Sequence, residues 1–385
     1  MKIAHICLCG PFTEGMTYQE NLLSLQNALD GHDVLIIASK YSWDKNKIIK
    51  VPECNKLIQH NLRLVRIDYD KVFNEFLTAK LRKASRLMPI VEEFNPDIIF
   101  FHNPQSYELM NIARYKRHHK NKILIVDNHS DFTNSASNCI SYFVLHRIVY
   151  KSFLKFSKEY IDKMYTIGAD AYRFIKKAYN YDRNNIEMFP LGCFIINFSE
   201  QEKDLLRKQY NISDGEIVMV HTGKIDERKM TKELLELFNK GGYANIKLLI
   251  IGIIDEEYST KVMPLIEENP KVLYLGWKNG VELMKCLSLS DVYVQPGSPS
   301  ATLQQAIGYG NAIIARDLDV YRSVVKNNGW LVSSVEQISQ ILAYIDNNPQ
   351  ILAKMKDESR RIAESLLSYT GLARKIYQLA DVKSI

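Results

Sequence analysis

Two stretches in the second half of the chain combine small residues, cations and a helix start in the way that phosphate chemistry requires. Residues 295–316 read QPGSPSATLQQAIGYGNAIIAR: strand-like residues end at Gln295, residues 296–300 form a small-residue loop, and a helix begins near Ala301 with Ser300 placed to cap it. Without side-chain bulk, such a loop lets a diphosphate reach the amides of Ser300, Ala301 and Thr302, where the helix dipole favours negative charge. Directly after another strand, residues 221–229 read HTGKIDERK. Gly223 permits a tight turn there, and Lys224 and Lys229 supply two point charges for a pyrophosphate. Taken singly, the first stretch is also an ordinary strand-turn-helix and the second a solvated basic loop, so the signal lies in their combination. In the first half, the strand at 123–127 runs into Asp127-Asn128-His129-Ser130, and His102 follows Phe101. An isolated histidine at a strand end, such as His102, is more often a structural hydrogen-bonder than a catalytic group.

The elements that must position these residues follow from periodicity. Short apolar runs at 2–9, 33–38, 62–68, 97–101, 123–127, 163–167 and 186–189 alternate with amphipathic helical stretches; Leu22, Leu25 and Leu29 share one helix face, and Gly31 ends that helix. Continuous apolar strands between helices imply a parallel sheet covered on both faces. The rhythm breaks over 192–216 and restarts with strands at 217–221, 246–251, 272–275, 292–295, 312–315 and 329–332. The predicted architecture is α/β, two Rossmann-like doubly wound domains facing a cleft: an N-terminal domain over 1–195, a C-terminal domain over 196–368, and a final helix over 369–385, interrupted around Tyr369 to Gly371, that crosses back to the first domain. Open sheets of this kind bind ligands beyond the carboxyl ends of their strands.

Composition agrees with an ordinary globular protein. The 385 residues are 46% hydrophobic and 24% charged, and no apolar run approaches the roughly 18–20 residues that a spanning helix needs. The first ten residues read as a strand rather than a leader. Six scattered cysteines lack metal-ligand spacing, which points to reduced thiols and a cytoplasmic setting. The net charge of +6 concentrates at 114–122 (RYKRHHKNK) and 146–158 (HRIVYKSFLKFSK). The first suits a helix end that faces water and the second a helix half buried in the first domain; the second, with Ile148, Phe153 and Phe156 among its lysines, also suits peripheral docking on an anionic membrane at its inner face. No nucleic-acid module or basic–aromatic stripe is present, so no nucleic-acid partner is expected.

Together, G-K-I-D-E-R-K-M at residues 223–230, I-I-G at Gly252, L-G-W at residues 275–277, S-D-V-Y-V-Q-P at residues 290–296 and Q-A-I-G-Y-G-N-A-I-I at residues 305–314 resemble the second domain of retaining GT-B glycosyltransferases, chiefly glycosyltransferase family 4. The resemblance covers about 100 residues. It implies a donor site of Gly15, Gly223, Gly252, Trp277, Ser298, Ser300, Ala301, Thr302 and Gln305, with His129, Lys224 and Lys229 as catalytic groups. Gly15 lies in a first-domain loop that resembles the family's first loop, and residues 188–192 resemble the turn that leads into the linker. Three departures stand out. The family arginine is Lys224, the second glutamate of its E-x7-E motif is Gln305, and the first is Gly297, which has no side chain to meet the sugar. The implied reaction is metal-free and cofactor-free: a nucleotide-sugar serves as donor, a glycan or lipid-linked molecule as acceptor, and the leaving diphosphate helps deprotonate the incoming hydroxyl. Polysaccharide or lipopolysaccharide assembly is the expected setting. Gly297 and Gln305 leave two rivals open, a degenerate GT-B partner or scaffold of another transferase, and a UDP-sugar epimerase of the same fold.

Overall fold

The computed structural model describes residues 1–44, 47–59, 61–132, 134–136 and 138–383; the last two residues of the segment assigned above to the final helix lie outside these. Two compact units result: Met1–Pro190 together with Leu372–Ile385, and Leu191–Gly371.

In the first unit the apolar runs become β1 (Lys2–Cys7), β2 (Asp33–Ser39), then β3 (Tyr41–Asp44), β4 (Lys47–Lys50) and β5 (Cys54–Gln59), followed by β6 (Leu62–Ile67), β7 (Ile98–His102), β8 (Ile123–Asn128), β9 (Lys163–Thr166) and β10 (Ile186–Met188). The sheet order is β10-β9-β8-β7-β1-β2-β6-β5, so the winding direction reverses between β1 and β7. That switch point sets the carboxyl ends of β1, β7 and β8 side by side. The all-parallel expectation needs one correction: β5 pairs antiparallel with β6 at the edge, and β3 and β4 form a separate hairpin. Residues 47–50 and most of β5 are exposed, so they carry none of the apolar continuity by which buried strands are recognised.

The second unit is parallel throughout, with β11 (Ile217–Thr222), β12 (Ile246–Ile251), β13 (Val272–Tyr274), β14 (Val292–Gln295), β15 (Ala312–Arg316) and β16 (Gly329–Val332) in the order β13-β12-β11-β14-β15-β16. Here the reversal falls between β11 and β14, the strands that carry the two phosphate-type loops. Near the end of the chain, a helix over Ile351–Ile362 passes through a widened turn at Ala363–Leu367 and an extended Ser368, and a helix resumes over Tyr369–Lys383. The interruption thus falls just before the expected position, and Gly371 is helical. Among the described residues no helix is long and apolar enough to cross a membrane.

Candidate functional site

The loops after β11 and β14 are laced together. The Lys229 ammonium donates to the carbonyl oxygens of Ser298 (3.1 Å) and Pro299 (2.8 Å), while the Ser298 amide donates back to the Arg228 carbonyl at 2.7 Å. Two glycines make this possible. A Cβ on Gly223 (φ 133°) would stand 3.1 Å from Lys229 Cε, and one on Gly297 would stand 2.1 Å from the Arg228 oxygen. The next loop is equally tight, because a Cβ on Gly252 (φ 142°) would fall 1.8 Å from the Gly223 oxygen. Backbone this close to backbone excludes any side chain.

Below these loops lies a buried polar floor. His221 donates from Nδ1 to the Val294 carbonyl at 2.9 Å and receives the Thr231 hydroxyl at Nε2, also at 2.9 Å; burial pushes its pKa down to about 4, so it stays neutral. Gln295 donates to the Ser298 carbonyl at 2.7 Å, and the Thr222 and Tyr293 hydroxyls share a hydrogen bond of 2.9 Å. Lys229 is 7% exposed, and burial, together with Arg228 and against the pull of Asp226, lowers its pKa to about 8. A desolvated ammonium on a small-residue loop suits a charged phosphate oxygen.

The other predicted donor-side residues take varied positions. Lys224 is exposed in the same loop as Gly223, and Trp277, 54% exposed, follows Gly276 after β13. The helix begins one residue later than expected, over Thr302–Gly308, so Ala301 rather than Ser300 takes the cap position, and the Ser300 hydroxyl accepts from the Thr302 amide at 3.4 Å. The Ser300 amide is already committed to the Tyr321 hydroxyl at 2.8 Å, so of the three amides proposed for phosphate that of Ser300 has a partner in the protein, and Ala301 is exposed. Gln305 is buried; its carbonyl receives the Phe194 amide at 3.1 Å, and its Nε2 has no hydrogen-bond partner among the described residues. An unpartnered buried amide costs about 1–3 kcal/mol unless something arrives to accept from it.

In the first unit the switch point gathers histidines. Asp127, fully buried at the end of β8, accepts from His102 Nδ1 (2.9 Å) and His129 Nε2 (3.0 Å) on one oxygen and from the Asn103 amide (2.8 Å) on the other. Burial works against its charge, but His129 and His102 outweigh burial and hold the carboxyl well below the usual carboxylate range. For His129 burial again opposes the charged form, yet Asp127 prevails and raises the pKa. The His129 side chain is 23% exposed and lines a small recess with Cys9, Gly10, Pro11, Glu20 and His102. Gly10 and Pro11 of the first loop therefore reach this recess, whereas Gly15 sits at an exposed left-handed turn (φ 75°). His102, Asp127 and His129 place three ligand-type atoms within 4.8 Å of one another. The spacings of 2.9 Å and 3.0 Å from the Asp127 oxygen to the two ring nitrogens are those of N–H···O bonds. Asp127 was not singled out from the sequence, although D-x-H at a strand end is a legible signal for a carboxylate that orients a histidine.

Parallel doubly wound units with their functional loops at the switch points define the GT-B class of α/β proteins, and known structures of that class match along the whole chain. A sucrose-phosphate synthase from Thermosynechococcus elongatus superposes with a TM-score of 0.69 at 15% identity, over 99% of this chain and 98% of that one. HepE from Anabaena, solved with UDP and glucose, gives 0.68 at 13% identity over 100% of both. Within the second unit, the family model of the glycosyl transferases group 1 matches residues 202–362. A curated relative, the alpha-galactosylglucosyldiacylglycerol synthase of Streptococcus pneumoniae (strain ATCC BAA-255 / R6), is 22% identical over 179 residues, 43% of this chain and 46% of the relative. The chain thus spans about half the length of the curated relative it matches.

Proposed function

We propose that the protein is a metal-independent glycosyltransferase that moves a sugar from a UDP- or GDP-sugar to a glycan or lipid-linked acceptor, with retention, in the assembly of cell-surface polysaccharide or lipopolysaccharide. One observation carries this reading: the desolvated Lys229 ammonium, fixed between two loops of a group 1 domain beside the small residues 296–300. Lys229 and the exposed Lys224 stabilise the charge that grows on the departing diphosphate, the group whose stabilisation dominates such reactions. His129, supported by Asp127, serves the acceptor side.

Calorimetry with UDP and GDP tests this reading. Only protonated Lys229 attracts a phosphate, and its pKa is about 8. Affinity should therefore fall by about tenfold per pH unit above that value until the pKa of the bound form is reached, with proton uptake on binding. Lys229→Arg should abolish this dependence. Absence of nucleotide binding at millimolar concentrations would instead favour the scaffold reading that Gly297 and Gln305 motivate.

The lipid-linked acceptor has its own support in the first unit. Ile140 (75% exposed), Phe143 (56%), Val144 (47%) and Ile148 (60%) project from the segment that contains the π-helix Ser141–Tyr150, beside exposed Arg147 and Lys155. Apolar side chains ringed by cations suit an anionic bilayer surface. Burying each of the larger ones contributes about 1.5–3 kcal/mol. The double variant Phe143→Asp, Ile148→Asp should lose at least tenfold in sedimentation with phosphatidylglycerol vesicles. A wild-type chain that ignored such vesicles would remove this part of the proposal.

A further inference from the structure

Behind Asp127 a line of hydrogen bonds crosses the first unit to the C-terminal helix. His102 Nε2 lies 3.1 Å from His5 Nδ1, His5 Nε2 lies 2.8 Å from Asn27 Oδ1, the Asn27 amide donates to the Tyr377 hydroxyl at 2.7 Å, and that hydroxyl donates to Asp30 at 2.8 Å. With the bond between His102 and Asp127, five hydrogen bonds run between two carboxylates. Neutral side chains supply only four protons to them: one each from the Tyr377 hydroxyl, the Asn27 amide, His5 and His102. A fifth proton is needed, and turning the Asn27 amide around only moves the gap along the line.

The direction of the line decides where that proton sits. Tyr377 gives its proton to Asp30, so its oxygen accepts from Asn27; the Asn27 carbonyl then faces His5, which must carry hydrogen on Nε2. That leaves His5 Nδ1 as an acceptor, and His102 must donate to it while also donating to Asp127. We propose that Tyr377, through Asn27 and His5, holds His102 as an imidazolium that donates at both nitrogens. His5 is no rival carrier, since it is fully buried and burial beside His102 lowers its pKa to about 3. Burial and Asp30 together raise the Tyr377 pKa, which keeps the hydroxyl a donor.

The groups around His102 fit a cation. His5, Cys7 and Cys9 come from β1 and its loop, Glu20 from the first helix, and Asp127 and His129 from β8 and its loop. Burial raises the pKa of both thiols, that of Cys9 to about 11, so they remain neutral, and Asp127 is the carboxylate in contact. The consequence for chemistry rests on the proposed role of His129. An imidazolium on the oxygen that His129 shares offsets part of the Asp127 charge that raises the His129 pKa, which favours the form that gives Nε2–H to Asp127 and keeps Nδ1 free to take a proton. Tyr377 and His102 are then positioning residues, because they act on the reacting group only through Asp127.

Long-range 1H–15N correlation spectra of the full chain with labelled histidine, at pH 7, test the proton count without any sugar transfer. The expected wild-type result is two protonated nitrogens on His102 and one, Nε2, on His5. In Tyr377→Phe the Asn27 amide turns to donate to His5; three hydrogen bonds then need three protons, so His102 becomes neutral and His5 carries its hydrogen on Nδ1. Asp30→Ala, at an exposed position, should produce the same exchange by freeing the Tyr377 proton for Asn27. The unchanged Nδ1–H signal of His221 in the second unit reports an intact fold. A neutral His102 in the wild type, or a His102 untouched by both variants, overturns the proposal. In transfer assays the acid limb of the pH profile should move to higher pH in Tyr377→Phe, because an unshielded Asp127 raises His129; this kinetic arm depends on the transferase reading, whereas the spectra do not.

Discussion

Lys229→Ala is expected to lower the transfer rate by about 10²–10³-fold, the loss that follows removal of a donor aimed at developing charge. Lys224→Ala, at an exposed position, should lose less than tenfold, because solvent screens a charge there. Steady-state kinetics on both variants separates the two lysines. The difference comes from burial: Lys229 is 7% exposed and is held by two carbonyls. That placement has a thermodynamic signature of its own. The folded pKa of about 8 lies below the ordinary lysine value of 10.5, so between these values the unfolded chain binds the proton more tightly and folding stability rises with pH. Below pH 8 the buried cation opposes folding by about 3 kcal/mol, at 1.36 kcal/mol per unit. Chemical denaturation of the wild type and Lys229→Met should therefore diverge with pH, the wild type gaining on the variant from pH 8 to pH 10. A constant difference would mean that Lys229 is not desolvated. In the proposed donor complex a nucleotide phosphate would relieve that charge, so the same residue would weaken the empty fold and strengthen the loaded one.

What the sequence made legible is what lies close together along the chain. Each phosphate-type loop follows its own strand, so the strand ends at Thr222 and Gln295 and the small residues after them could be read directly, and the meeting of the two loops followed from the doubly wound pattern. The glycines were legible as a type, but the reason for Gly252, an oxygen 1.8 Å from its missing Cβ, exists only once β11 and β12 are paired. Asp127, His102 and His5 were harder, since they come from three strands whose adjacency, β8-β7-β1, depends on a crossover. Tyr377 lies 350 residues from Asn27 and carries no local signal at all. The capture of the Ser300 amide by Tyr321 escaped for the same reason. The edge strand β5 and the hairpin of β3 and β4 were missed because exposed strands need no apolar run.

Gly297→Glu, which restores the family's first motif glutamate by register, should unfold the loop rather than improve transfer. A Cβ at this position meets the Arg228 oxygen at 2.1 Å and the Lys229 carbonyl carbon at 2.5 Å, and both are backbone atoms that cannot swing aside. Even Gly297→Ala should lose about 1–3 kcal/mol by chemical denaturation, the usual range for overpacking. It should also weaken nucleotide binding, because the displaced backbone is that of Lys229 itself. Gly15→Ala is the contrast: among the described residues nothing lies within 4 Å of its Cβ, and only the left-handed φ of 75° is strained, at about 1 kcal/mol. A Gly297→Glu chain with wild-type stability and faster transfer would show that the loop has room that its geometry denies. The absence of a glutamate is thus built into the packing of the two loops: the chain that carries Lys229 lies where that side chain would begin. On the proposed reading, sugar hydroxyls would be met from the rim of the same loop, where Ser298, Ser300 and Thr302 are half-buried rather than sealed. Ser298→Ala or Thr302→Val should accordingly change discrimination among donor sugars more than affinity for the bare nucleotide, which competition between UDP and UDP-sugars measures.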